Sequence, residues 1–161
     1  MTEHTSILKR SRASFKQPGM IPSGVWEVRC ISAKHKTATV EHNGEDTEID
    51  IFTFTHEPMT PGKSVDPEEA DAVDPETGKS LYDGKRLITV LRIYNNGDLQ
   101  RVQNLMNAHL GDPDEDATLE EDLKSMKGKR ALADVFTDSW KDKTSGETRS
   151  DNRVKSWASA E

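Results

Sequence analysis

Cationic and aromatic side chains alternate along the last β-rich segment of this chain. Successive side chains of a strand point to opposite faces, so Arg153, Lys155 and Trp157 would share one face. On the preceding segment, Phe136 and Trp140 would lie together, opposite small alanines. Cationic groups attract phosphates, and aromatic rings stack on planar bases. These residue types therefore favour binding of a polyanion that carries flat rings.

Other cations and one tyrosine extend this set. Arg29, Arg92 and Tyr94 fall on strand faces that we expect to point outward, and several lysines lie in loops that could border a groove. Trp140 and Trp157 could equally pack against the protein, whereas Trp26 and the phenylalanines of residues 47–55 are expected in the core. The candidate binding residues are Arg29, Lys34, Lys36, Arg92, Tyr94, Phe136, Trp140, Lys141, Lys143, Arg153, Lys155 and Trp157.

The sequence contains few residue patterns that are typical of catalytic sites. The histidines are scattered, and only His35 lies near the single cysteine, Cys30, at a spacing that matches no common zinc pattern. No serine lies in a Gly-x-Ser-x-Gly elbow, and no paired-carboxylate motif lies on a strong helix. We therefore expect a protein that is not an enzyme and needs no metal or cofactor.

Composition and charge narrow the class of protein. The 161 residues have the length of one domain, and 32% hydrophobic content implies a small core. Segments 65–76 and 112–122 hold 13 of the 29 acidic residues, which leaves 16 acids against 22 bases elsewhere. The net charge of −7 is thus compatible with a basic working surface. No apolar run is long enough to span a membrane, so we expect a soluble, cytoplasmic protein.

The elements that must position the candidate residues are mainly strands. We predict strands at residues 25–31, 37–40, 47–55, 86–94, 129–140 and 149–157, the first two separated by a polar break at 32–36. Asn43-Gly44 predicts a tight hairpin turn. Helical periodicity predicts helices over residues 98–110 and 118–128, both between the third and fourth strands once the first two segments are counted as one bent strand.

This order of elements predicts a five-stranded Greek-key OB-fold barrel with helices between strands 3 and 4. The predicted organisation is a basic arm at 1–18, an OB-like domain at 19–157 with an extended acidic insertion at 57–84, and a short tail at 158–161. A β-sandwich would require about seven strands, more than the five counted here.

Several short motifs resemble a family of phage-encoded proteins. These are PSGVWEV at residues 22–28, GKR at 84–86, LKSMKGKR at 123–130 and NRVKSW at 152–157. The family comprises short proteins of replication and recombination modules that are thought to bind single-stranded DNA through an OB-like fold. The resemblance covers residues 20–157 and implies the same fold and activity for this chain.

The residues and the resemblance together predict sequence-nonspecific binding of single-stranded DNA during phage DNA replication or recombination. The alternative is a protein-interaction or virion accessory domain that docks through its acidic insertion. Acidic segments 65–76 or 112–122 could also recruit replication or recombination proteins. Residue patterns leave monomer and homodimer equally open.

Overall fold

The structure, a computed structural model, describes residues 19–160 and consists of one five-stranded antiparallel sheet with three helices. The mainly β class is therefore confirmed. The predicted arm at 1–18 lies outside the described residues. The strands are β1 (Gly24–His42), β2 (Glu45–Pro61), β3 (Leu87–Ile93), β4 (Arg130–Lys141) and β5 (Thr148–Ala158), and the helices are α1 (Pro67–Asp71), α2 (Asn96–Leu110) and α3 (Leu119–Ser125).

The sheet has the strand order β3-β2-β1-β4-β5, so β1 pairs with both β2 and β4. β3 and β5 are the two edges, and no hydrogen-bonded ladder joins them within residues 19–160. The sheet is therefore open at this point. Helix α2 contacts both edge strands.

β1 is one continuous strand, and the predicted polar break at residues 32–36 is wrong. Lys34 pairs with Thr53 and Lys36 with Ile51, so polar side chains sit in the ladder beside an apolar partner strand. The register shifts between Glu27 and Val28, and again between Cys30 and Ser32. Such bulges bend a strand and increase its twist. The first residues of β1 can thus pair with β4, while β1 pairs with β2 along the rest of its length.

The hairpin turn between β1 and β2 is confirmed. Asn43 has φ 53° and Gly44 has φ 79°, the positive values that a tight hairpin turn of type I′ requires at both central residues. The turn fixes the pairing of His42 with Glu45 and hence the register of the whole hairpin.

The segment between β2 and β3 is more ordered than an extended insertion. β2 continues through residues 57–61, and α1 begins after Asp66, whose side chain accepts a hydrogen bond from the Glu68 amide. Val65 joins the core, and the ring of Tyr82 packs edge-on against Trp26 with centroids 5.3 Å apart. This segment therefore covers one end of the core.

The core has two adjoining parts. One surrounds Trp26 and includes Val28 and Leu87. The other places Phe52 and Phe54 of β2 against the buried face of α2. The predicted core positions of Trp26, Phe52 and Phe54 are confirmed, since each is at most 2% exposed. Trp157 is half-buried and packs against both parts.

The two predicted helices between β3 and β4 are confirmed, although α3 ends at Ser125, three residues before the predicted end. The Asn95 side chain accepts from the Asp98 amide at the start of α2, and Gly111 follows its last turn. Thr118 caps α3 by accepting from the Glu121 amide. Leu99 of α2 and Leu119 of α3 are about half exposed. Among the described residues, no helix is long and apolar enough to cross a bilayer.

Candidate functional site

Four of the candidate residues lie together on the face of β1, β2 and β3 that points away from α2. We call this surface, with Lys34, Lys36, Arg92 and Tyr94, the β1–β3 face. Two rows of paired residues cross the three strands on this face. One row is Lys36–Ile51–Arg92, and the other is Lys34–Thr53–Val90. The phenylalanines of β2 occupy the alternate positions and fill the core, so this outward direction follows from strand alternation.

The β1–β3 face is free of negative charge across four successive ladder rows. The rows are Ser32–Thr55–Ile88, Lys34–Thr53–Val90, Lys36–Ile51–Arg92 and Ala38–Ile49. Within the part of the chain that the structure describes, Lys34, Lys36 and Arg92 form no ion pair. Asp46, Glu48 and Asp50 of β2 alternate to the opposite face, where Asp50 bonds His35 at 2.7 Å. Glu45 lies beyond these four rows, where it pairs with His42. These cations are therefore available to an anionic ligand.

Exposed apolar and aromatic groups accompany these cations. Ile88 is 57% exposed and Val90 40%, unusual values for aliphatic residues of a strand. Tyr94 is 43% exposed, and its ring stacks on His42 with centroids 4.7 Å apart and planes 27° apart. Ile51 is buried between Lys36 and Arg92, whose aliphatic stems can cover it while the charges stay in water. The β1–β3 face thus offers an apolar floor with cations at its sides.

A second group of candidates lies on the hairpin of β4 and β5. Phe136 pairs with Arg153 and Trp140 with Arg149, so these four side chains share a surface that we call the β4–β5 face. Phe136 is 39% and Trp140 41% exposed. The Arg153 guanidinium carbon lies 5.9 Å from the Trp140 ring centroid, a cation–π distance. Arg153 also lies 3.7 Å from a carboxylate oxygen of Asp138, which partly offsets its charge.

Lys141 and Lys143 flank the turn of this hairpin and are exposed. Between them, Asp142 accepts hydrogen bonds from the backbone amides of Thr144 and Ser145 and from the Arg149 side chain. The hydrogen bonds from the Thr144 and Ser145 amides lower the pKa of Asp142, and the hydrogen bond from Arg149 makes a smaller contribution in the same direction. The carboxylate thus organises the turn, and both lysines remain without an ion pair among residues 19–160.

Arg29 differs from the cations of both faces because an acidic side chain neutralises its charge. It forms an ion pair with Glu57 of β2, and Arg86 lies 3.8 Å from the other oxygen of the same carboxylate. A phosphate would have to compete with Glu57 for both guanidinium groups.

A bulge separates Lys155 and Trp157 from the face predicted for them. Val154 pairs with Val135 and Ser156 with Asp134, so Lys155 is an extra residue opposite one step of β4. The extra residue reverses the alternation, and Trp157 pairs with buried Ala133 instead of sharing the face of Arg153. The prediction that side chains alternate strictly along β5 is therefore wrong beyond Val154.

Trp157 covers a buried histidine pair that residue patterns did not reveal. The Trp157 ring centroid lies 4.6 Å from that of His56 and 5.5 Å from that of His109. The two histidine Nε2 atoms are 2.8 Å apart, and His109 Nδ1 donates to the Leu105 carbonyl at 2.8 Å. Because these histidines are 53 positions apart in the sequence, no local pattern could have paired them.

Burial keeps both imidazoles of this pair neutral. Desolvation, with a smaller contribution from His109, lowers the pKa of His56 to about 3. Desolvation also lowers the pKa of His109, against the opposing hydrogen bond to Leu105. His56 Nδ1 is buried and has no hydrogen-bond partner in the described region.

Groups that could hold a metal are not clustered. Residues 19–160 contain no set of three or more His, Cys, Asp or Glu side chains placed to bind an ion. Cys30 is buried and its pKa is raised to about 11 by desolvation, partly offset by a hydrogen bond with the Ser32 backbone. A thiol with that pKa is a poor nucleophile and metal ligand at neutral pH.

Comparison of the chain with models of known families and with curated proteins finds no match. The resemblance to phage-encoded single-strand binders stays a prediction that depends on the short motifs alone.

Proposed function

We propose that this protein binds single-stranded DNA with little sequence preference, without enzymatic activity, in phage DNA replication or recombination. The observation that carries the proposal is the β1–β3 face, where unpaired Lys34, Lys36 and Arg92 surround an exposed apolar and aromatic surface without an acid in four ladder rows. A basic track with stacking platforms is the arrangement that nonspecific single-strand binding requires.

The strand order supports an OB-like Greek-key barrel as the finer description of the sheet. In such a barrel the first strand is shared by both halves, as β1 is shared by β2 and β4. Lys85 Nζ, just before β3, lies 2.8 Å from Asp151 Oδ1 of β5, and α2 contacts β3 and β5. These contacts bring the open edges near each other, as in a partly open barrel. OB-fold proteins bind oligonucleotides on the face of strands 2 and 3 and on the loops beside it.

The β4–β5 face supplies further stacking groups. Phe136 and Trp140 are exposed on β4, and Lys141 and Lys143 add positive charge at the turn. Base stacking on an aromatic side chain contributes about 1–3 kcal/mol per base. A strand bound first by the β1–β3 cations could therefore extend onto these rings.

The proposal is tested by measuring the affinity for (dT)30 over a range of salt concentrations. For single strands, the logarithm of the binding constant falls with the logarithm of salt with a slope of about −0.7 per phosphate contact. The double variant K36A/R92A should bind more weakly and show a slope reduced by about 1.4. The control K63A/K127A removes two unpaired lysines outside this face and should bind like the native chain.

Two results would contradict the proposal. One is a native chain that binds no (dT)30 at low salt, or binds it with a slope near zero. The other is a K36A/R92A variant that cannot be distinguished from K63A/K127A. Stronger binding to a duplex of equal length would also show that the face does not select single strands.

A further inference from the structure

The two open edges of the sheet border a cleft that lies outside both the β1–β3 face and the β4–β5 face. Its walls come from β3, from one face of α2 and from the end of β5, and its volume is about 760 Å³. The principal polar and aromatic residues of this β3–β5 cleft are Arg101, Asn104, Asn107, Lys155 and Trp157. Ligand sites of small molecules commonly have volumes of 300–1,000 Å³.

The cleft has a positive lining. None of its lining residues is acidic, and neither Arg101 nor Lys155 forms an ion pair with any residue from 19 to 160. Arg101 and Asn104 are three positions apart on α2, so they project from the same side of the helix. The bulge at Lys155 directs this side chain away from the regular alternation of β5. Two elements distant in sequence thus bring two free cations to one cavity.

The position of the cleft connects the two surfaces described above. β3 carries Arg92 of the β1–β3 face and β5 carries Arg153 of the β4–β5 face, and the same two strands supply opposite walls of the cleft. A polynucleotide that runs from one face to the other by the β3 and β5 edges has to cross it. The outward-facing residues of β3 belong to the β1–β3 face, whereas Thr89 and Leu91 occupy the alternate positions of the strand and line the cleft.

We propose that the β3–β5 cleft binds one nucleotide of the single strand, with its phosphate between Arg101 and Lys155. Asn104 and Asn107 offer amide donors and acceptors to the base edge, and the half-buried indole of Trp157 provides an apolar wall. This inference rests on the proposed function and adds α2 to the binding surface. An acidic peptide is the competing occupant, but the two faces that lead into the cleft favour a continuous polynucleotide.

The test compares R101A/K155A with the control K63A/K127A, which removes the same charge elsewhere. We expect R101A/K155A to bind (dT)30 about tenfold more weakly and with a salt slope reduced by about 0.7, the contribution of one phosphate. In ¹⁵N-labelled native protein, (dT)10 should shift the side-chain amide signals of Asn104 and Asn107.

The outcomes separate this inference from the proposed function. If the native chain binds (dT)30 and K36A/R92A is weakened while R101A/K155A equals its control, the cleft is not part of the path and the proposed function stands. If the Asn104 signal shifts with a peptide of residues 112–122 but not with (dT)10, the occupant is an acidic peptide and the inference is overturned. If the native chain binds no (dT)30, both proposals fail.

Discussion

The Nε2 atoms of His56 and His109 lie 2.8 Å apart in the core, and with both rings neutral the geometry permits only one arrangement of their protons. The Leu105 carbonyl can only accept, so His109 Nδ1 carries a proton and its Nε2 is a lone pair. His56 Nε2–H therefore donates to His109. A third proton on the pair would place a charge in this buried site, and a proton on His56 Nδ1 would have no hydrogen-bond partner among the described residues.

The first prediction is that stability falls as the pH drops below about 6.5. The folded state lowers the pKa of both histidines, to about 3 for His56. The unfolded state therefore binds more protons below pH 6.5, and the free energy of unfolding decreases by up to ~1.4 kcal/mol per pH unit for each histidine. Above pH 6.5 the neutral histidines make their full contribution to the free energy of unfolding. As the pH falls, the contribution of His56 decreases until about pH 3. Urea unfolding at pH 7, 6 and 5 measures it.

The control for this prediction is His42→Gln, since His42 is exposed and lies outside the buried pair. The variant should show the same decline between pH 7 and 5 as the native chain. The comparison avoids lower pH values, where carboxylates also titrate. A free energy of unfolding that is constant across this range would show that the pair does not resist protonation.

The second prediction concerns Asn152, which fastens the segment before β1 to β5. Its Oδ1 accepts from the Ile21 amide at 2.8 Å, and its Nδ2 donates to the Ile21 carbonyl at 2.9 Å. Both residues are buried, so Asn152→Ala leaves two backbone groups unpaired and should cost about 2–4 kcal/mol. Ser150→Ala, on the same strand in an exposed pair with Ser139, should cost under about 1 kcal/mol. Equal losses in the two variants would refute this role.

Much of the fold could be predicted because it depends on local signals. The predicted Asn43-Gly44 turn is a property of two adjacent residues, and the structure has it. The caps at Asn95 and Thr118 are also local, since each side chain accepts from an amide three positions further on. Alternation located β4 and β5 to within one residue of their observed bounds. Helix α1 was missed although Asp66-Pro67 followed by two glutamates is a typical helix start.

The candidate site was harder to predict because it depends on pairing between strands. Lys36 and Arg92 are far apart in sequence and come to flank the same residue, Ile51, only through the register of β2. Residue types along β5 give no sign of the bulge at Lys155, because a bulge is defined against the partner strand. For the same reason Trp157 was placed on the wrong face, and the cleft beside it was invisible to sequence reasoning.

The third prediction is that Gly24 cannot be replaced without loss of stability. Its φ is 133°, and a Cβ atom there would lie 2.8 Å from Val65 Cγ2 and 2.9 Å from the Val65 amide nitrogen. Gly24→Ala combines backbone strain with a steric clash in the core and should cost about 3 kcal/mol. Gly78→Ala also places alanine at positive φ, 71°, but in open space, and should cost about 1 kcal/mol. Thermal unfolding of both variants separates clash from strain, and equal losses would show that the Val65 contact is unimportant.

The fourth prediction separates the roles of Trp140 and Trp157. Trp157→Ala removes a ring packed on both parts of the core and should cost about 3 kcal/mol of stability. Trp140→Ala removes a ring that is 41% exposed on the β4–β5 face, so stability should change by less than about 1 kcal/mol. The same change should weaken binding of (dT)30 by about 1–3 kcal/mol, because a stacking platform is lost.

Trp140→Phe tests whether this loss reflects stacking. A phenyl ring keeps an aromatic face and should restore most of the affinity that alanine removes, whereas a purely structural role would leave both variants alike in binding. Phe136 offers the matched comparison, since it is similarly exposed on the same face two ladder steps away. Full binding by the double variant F136A/W140A would show that the hairpin rings do not contact DNA, and would leave the β1–β3 face and the β3–β5 cleft as the proposed binding surface.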